Sequence, residues 1–189
     1  YEANKYGDAL ISLNRFIQLH PGNQDVPYAF YLKALSYYEQ ISDVSRDQSI
    51  TEKALTSLQD VIRRFPTSKY ARDARLKLDL TTDHLAGKEM AIGRFYLRKG
   101  EFLAAINRFK QVVDKYQTTS HIPEALHRLS EAYSAVGLEN EAKEAASVLG
   151  HNYPGSEWYI DSYALVTGKD IRDKPEEKGF FARAWDWAF

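Results

Sequence analysis

Cysteine is absent from this chain of 189 residues. That excludes disulfide staples and thiolate metal sites, although it identifies no compartment. No apolar run approaches the ~20 residues of a membrane-spanning helix. An excess of either charge is missing as well: 25 Lys and Arg stand against 26 Asp and Glu, for a net charge of −1. There is no basic block, so nucleic acid is not an expected partner. Catalytic signatures are equally scarce. Glycines sit singly, with no phosphate-cradling Gly-rich loop and no Gly-x-Ser-x-Gly elbow. The five histidines (His20, His84, His121, His127 and His151) contain no i, i+4 pair of the kind that holds zinc on a helix. His20 and His151 are expected near helix C-termini, where imidazole suits the exposed carbonyls. Glu139, Glu141 and Glu144 read as a solvated helix face. We therefore expect no enzyme activity, no cofactor and no metal.

What is present is a repeat. An alanine is followed eleven residues later by His, Phe or Tyr, and nine after that by Ala or Ser. The four sets are Ala9, His20, Ala29; Ala54, Phe65, Ala74; Ala105, Tyr116, Ala125; and Ala142, Tyr153, Ser162. Pro21, Pro66, Gln117 and Pro154 come next. Each anchor opens a helical apolar stripe: Ala9, Leu10, Leu13, Phe16, Ile17; then Ala54, Leu55, Leu58, Val61, Ile62; then Ala105, Ile106, Phe109, Val112, Val113. Ala142, Ala146 and Leu149 repeat it with smaller side chains. Five residues before the anchors lie Asn4, Ser49, Gly100 and Gly137, expected to end the preceding helix. Ile92-Gly93-x-x-Tyr96 and Leu129-Ser130-x-x-Tyr133 match the first helix of a tetratricopeptide (TPR) hairpin. The expected fold is all-α, a TPR-type helical-hairpin solenoid. Such arrays bind partners more often than they catalyse.

The anchors are unevenly spaced against the ~34 residues of this repeat. One excess falls in a polar loop at residues 41–47, another near residues 81–88. No proline interrupts residues 68–99, which read as one long helix or as two broken at Gly87. The expected organisation is a TPR array over residues 1–167, a charged linker over 168–178 and an aromatic tail over 179–189. The opening Tyr1-Glu-Ala-Asn-Lys-Tyr6 reads as a helix already under way, which predicts an N-terminal truncation.

Three surfaces are candidates for binding. Tyr28, Tyr31, Tyr37 and Tyr38 sit on a first-type helix, which in TPR arrays lines a peptide groove. Arg94, Arg98, Lys115, His127 and Arg128 form a basic set suited to an acidic partner. In the tail, Phe181, Trp185 and Phe189 align on a helix, or Trp185, Trp187 and Phe189 on a strand, as a terminal cap or a docking peptide.

Several runs carry a closer resemblance. They are Ala9-Leu-x-x-Leu-x-Arg-Phe-Ile-x-Leu-His-Pro21, Tyr28-x-x-Tyr31-x-Lys-x-Leu35, Leu58-x-x-Val-Ile-Arg-Arg-Phe-Pro-x-Ser-x-Tyr70-x-x-Asp-Ala74 and Met90-Ala-Ile-Gly-Arg-Phe-Tyr-x-x-Lys-Gly100. With them the chain resembles the BamD (ComL-like) family of outer-membrane assembly lipoproteins over nearly all of residues 4–165. That resemblance implies a periplasmic scaffold held to the outer membrane by a lipidated N-terminal Cys that this chain lacks. It implies three kinds of partner: the POTRA domains of the insertase BamA, accessory Bam lipoproteins, and unfolded outer-membrane proteins. By position, substrate would fall near Tyr31, Tyr37 and Tyr38, and BamA docking between Arg94 and Tyr133. The alternative left open is a generic periplasmic TPR adaptor for envelope or peptidoglycan-associated complexes.

Overall fold

The computed structural model describes residues 5–41 and 48–169. Eight helices fill these residues, with no strand among them: α1 (Tyr6–Leu19), α2 (Val26–Tyr38), α3 (Gln48–Arg64), α4 (Lys69–Arg98), α5 (Phe102–Lys115), α6 (Ile122–Ala135), α7 (Glu139–Asn152) and α8 (Glu157–Thr167). The chain divides into two compact units between Lys88 and Glu89, within α4.

The eleven-residue phase marks a turn that recurs four times. The backbone N–H groups of His20, Phe65, Tyr116 and Tyr153 donate to the carbonyls four residues earlier, at 2.8–3.0 Å. Three residues on, those of Asn23, Ser68, Thr119 and Ser156 donate back to the same four residues. Three further on, Val26, Ala71, Ile122 and Tyr159 close the next bond. The carbonyls orphaned at one helix end are thus met by main-chain donors from the turn into the next helix. The nine-residue interval then brings Ala29, Ala74, Ala125 and Ser162 to buried positions.

In the first unit α2 lies against α1 and α3. Its core joins Ala34 of α2, Leu58 and Val61 of α3 and Ala74 of α4, walled by Phe30, Tyr31, Tyr38, Ile62, Tyr70 and Leu78. The α3 stripe is fully buried at Ala54, Leu58 and Val61, whereas α1 buries no residue completely.

The second unit repeats the scheme. Here α6 packs on α5, α7 and α8. Ala105, Phe109, Val112, Ala142 and Leu149 are wholly buried. The hairpins α4–α5 and α6–α7 end their first helices alike. Gly100 and Gly137 take left-handed φ of 75° and 77°. The N–H groups of Glu101 and Leu138 reach back to Tyr96 and Tyr133 at 3.0 and 2.9 Å. This is the Schellman closure, and its left-handed residue is glycine because a Cβ is disfavoured there.

One local expectation changes and one open alternative is settled. Ser49 is not a helix stop but lies in the first turn of α3. A serine carries neither glycine's freedom at positive φ nor the side-chain amide that lets asparagine stand in, and helix formation prevails. Residues 68–99 do not break at Gly87: α4 runs unbroken from Lys69 to Arg98. One helical glycine costs only about 1 kcal/mol relative to alanine. Its neighbours Leu85, Ala86, Glu89 and Met90 are all buried.

Candidate functional site

The tyrosines of α2 meet a partner that sequence reasoning did not single out. Tyr28 and Tyr31 are one helical turn apart, and both lie against Tyr70 of α4, with ring centroids 5.3 and 5.2 Å away. Tyr31 donates its hydroxyl proton to Asp73 Oδ2 at 2.5 Å. Lys77 Nζ approaches Asp73 at 3.4 Å and sits 5.2 Å over the Tyr38 ring. Lys69 Nζ caps Tyr70 at 5.2 Å. Tyr28 is exposed at 44%. Tyr37 is half-buried on the same helix but outside the stack. The result is an aromatic ledge flanked by ammonium groups. Stacked rings offer flat apolar area at low entropic cost, and the lysines suit an anionic group beside it. Tyr31→Phe should lower stability by about 1 kcal/mol, the usual net value of one hydrogen bond, measurable by urea denaturation. An unchanged midpoint would mean that Asp73 is equally well satisfied without it.

The signal for Tyr70 and Asp73 was present: Tyr70-x-x-Asp73 repeats the i, i+3 spacing of Tyr28-x-x-Tyr31. What spacing does not reveal is which two helix faces meet across the 42 residues that separate Tyr31 from Asp73.

The basic set of the second unit separates into two groups. Arg94 of α4 donates from Nη1 to both oxygens of Glu124, at 2.9 and 2.8 Å. Arg128 donates from Nη1 to Glu131 at 2.7 Å and lies 5.4 Å over the Trp158 ring. Its Nε is 3.7 Å from Glu124, too far for a hydrogen bond, and is buried with no other partner. Glu124 therefore stands between two guanidinium groups. His127, on the same helix, is only 8% exposed. Its Nδ1 is 2.8 Å from Ser162 Oγ, and its ring lies 5.3 Å from that of Trp158. Burial, and next the charge of Arg128, hold its pKa below the ordinary 6.5. Arg98 and Lys115 stay apart from this network, exposed at the ends of α4 and α5. Tyr133 is half-buried on α6, its carbonyl closing the turn to Leu138.

Glu124, Glu131, Trp158 and Ser162 are the members that sequence reasoning missed. Two carboxylates offset the two arginines, so the network is close to neutral. These pairs are part-buried rather than fully exposed, with Glu124 only 15% exposed and bound through both of its oxygens by Arg94. Phe181, Trp185, Trp187 and Phe189, expected to dock, lie outside the described residues. Among the described residues no group of three His, Cys, Asp or Glu side chains could hold a metal ion. No described helix is long and apolar enough to cross a membrane.

Comparison with known proteins gives these surfaces a context. Residues 1–149 match the YfiO family model, described as outer membrane lipoprotein. The chain is 56% identical over 176 residues to the outer membrane protein assembly factor BamD of Caulobacter vibrioides, covering 93% of this chain and 58% of that protein. It is 59% identical over 164 residues to the protein of the same name from Rickettsia prowazekii, covering 87% and 65%. A third, from Neisseria meningitidis, is 31% identical over 166 residues, covering 82% and 62%. The chain thus spans 58 to 65% of these relatives' own length. With most of its residues inside the matched region, the chain belongs to the YfiO family of outer membrane lipoproteins.

Proposed function

We propose that this chain is a non-enzymatic scaffold for outer-membrane protein assembly, working at the periplasmic face of the outer membrane. In the full-length protein a lipid would anchor it there. The aromatic ledge of the first unit holds an extended segment of an unfolded outer-membrane protein, with Tyr28, Tyr31, Tyr37 and Tyr38 as its contacts. The second unit docks the POTRA domains of the insertase BamA through the exposed Arg98 and Lys115, beside the carboxylate-paired Arg94 and Arg128 and the half-buried Tyr133; His127, buried against Ser162, is not part of that face. Accessory Bam lipoproteins join the same complex. The observation that carries this reading is the ammonium-flanked tyrosine stack, with Tyr28 exposed over the half-buried Tyr31 and Tyr70, in a chain similar to three assembly factors. Affinity would come from a few aromatic and cationic anchors rather than from area.

The test is calorimetric titration of the chain with BamA POTRA domains from the same organism. Saturable binding is expected. Arg98→Glu with Lys115→Glu, both exposed, should weaken it about 10-fold or more, mainly through the electrostatic approach of an acidic surface. In parallel, Tyr28→Ala should weaken binding of an unfolded outer-membrane protein segment by a similar factor, read by fluorescence anisotropy. A folded, helical chain with no affinity for either ligand would favour the generic periplasmic adaptor.

A further inference from the structure

His127 is placed as a fastener rather than as part of a surface. It projects from α6 to Ser162 of α8, 2.8 Å from Nδ1 to Oγ, and Ser162 itself is fully buried. The Trp158 ring, also from α8, is shared. His127 lies 5.3 Å from it and the Arg128 guanidinium 5.4 Å. The described part of α8 is therefore tied to α6 by two adjacent side chains, one always charged and one able to become so.

We propose that His127 is an acid-released latch that keeps α8 seated on α6 while its ring is neutral. A neutral imidazole has one nitrogen that accepts and one that donates. Ser162 Oγ can accept from a protonated Nδ1, so what proton uptake adds is a positive charge inside a buried site, next to Arg128 on the same helix. The charged groups around the ring are Glu124, Arg128 and Glu131 from α6 and Asp161 from α8. The three carboxylates favour the charged ring, but Glu124 and Glu131 already serve Arg94 and Arg128. Desolvation and Arg128 outweigh them, and the pKa is lowered. The sign follows from linkage. With α8 detached, the burial that lowers the pKa is relieved, so the detached state takes up a proton first. Seating of α8 is thus fully favoured above about pH 6.5 and is progressively lost as pH falls through the lower, seated value.

The test uses the full chain with Trp185→Phe and Trp187→Phe, so that Trp158 alone reports. Its emission should shift to the red on acidification, reversibly, with a midpoint below pH 6.5 and about tenfold per pH unit in the detached-to-seated ratio. Far-UV circular dichroism should show the other helices retained. His127→Asn keeps a polar atom at the Nδ1 position but does not titrate, and should abolish the midpoint. The same midpoint in that variant would overturn the latch. So would a His127 pKa at or above 6.5, measured in the unaltered chain by NMR titration of its ring proton, a readout independent of whether the variant folds.

Discussion

Phe109→Ala should cost about 3–5 kcal/mol and lower the melting temperature by about 6–20 °C. The ring is fully buried in α5 and fills a notch in α4 that exists because residue 93 is glycine. A Cβ built at Gly93 would stand 2.5 Å from Phe109 Cε1 and 2.8 Å from Cζ. Truncating Phe109 empties that notch, and two helices held at their ends by the Gly100 turn have little freedom to close over the cavity. The reciprocal change is informative. Gly93→Ala gains about 1 kcal/mol of helix propensity but overpacks the ring by about 1–3 kcal/mol, so it should still destabilise or be neutral. Combined with Phe109→Leu it should recover part of its loss, as contacting residues do in a double-mutant cycle. Strict additivity of the two changes, measured by urea unfolding, would mean that the notch does not set the packing.

Gly150→Val should be the second severe lesion, at about 2–3 kcal/mol. Gly150 lies in α7 under the Tyr159 ring of α8, and a Cβ there would collide with Tyr159 Cε2. Tyr159 is 4% exposed, so its ring can move aside only by displacing packed neighbours. Valine adds a β-branched side chain where even one carbon does not fit. Thermal denaturation should show the loss, and hydrogen exchange should locate it in α7 and α8. Loss of protection confined to α1–α3 would contradict the assignment. Gly93 with Phe109 and Gly150 with Tyr159 are the same device at two hairpins, a ring seated on a missing side chain.

The hairpin architecture was legible because its requirements are local. A small residue is needed where helices cross, and an aromatic or imidazole where one ends, and both recur in phase. The glycine turns at Gly100 and Gly137 were readable for the same reason, since a left-handed residue is specified by its own chemistry. Ser49 failed as an analogue because its position in the phase matched but its backbone freedom did not. The candidate surfaces were legible only by residue type. Tyr28 and Tyr31 were found, but Tyr70 and Asp73 complete the ledge from a helix distant in sequence. The basic set was read by charge, and charge does not report direction. His127 goes inward to Ser162, Arg98 outward to solvent, and Glu124, which holds Arg94 and stands beside Arg128, carries the opposite sign.

The recurring turn after His20, Phe65, Tyr116 and Tyr153 is closed at every step by main-chain atoms. The proline position is therefore open to change, as Gln117 shows by standing where the other three copies have proline, while Asn23, Ser68 and Thr119 add side-chain bonds to the same turn. The length of the turn is not, because one added residue would put each donor opposite the wrong carbonyl. This turn acts as a ruler copied without error through the chain, while the connection between α2 and α3 is left to absorb insertions. Among descendants of such a sequence, length should drift at the second kind of joint and spelling at the first.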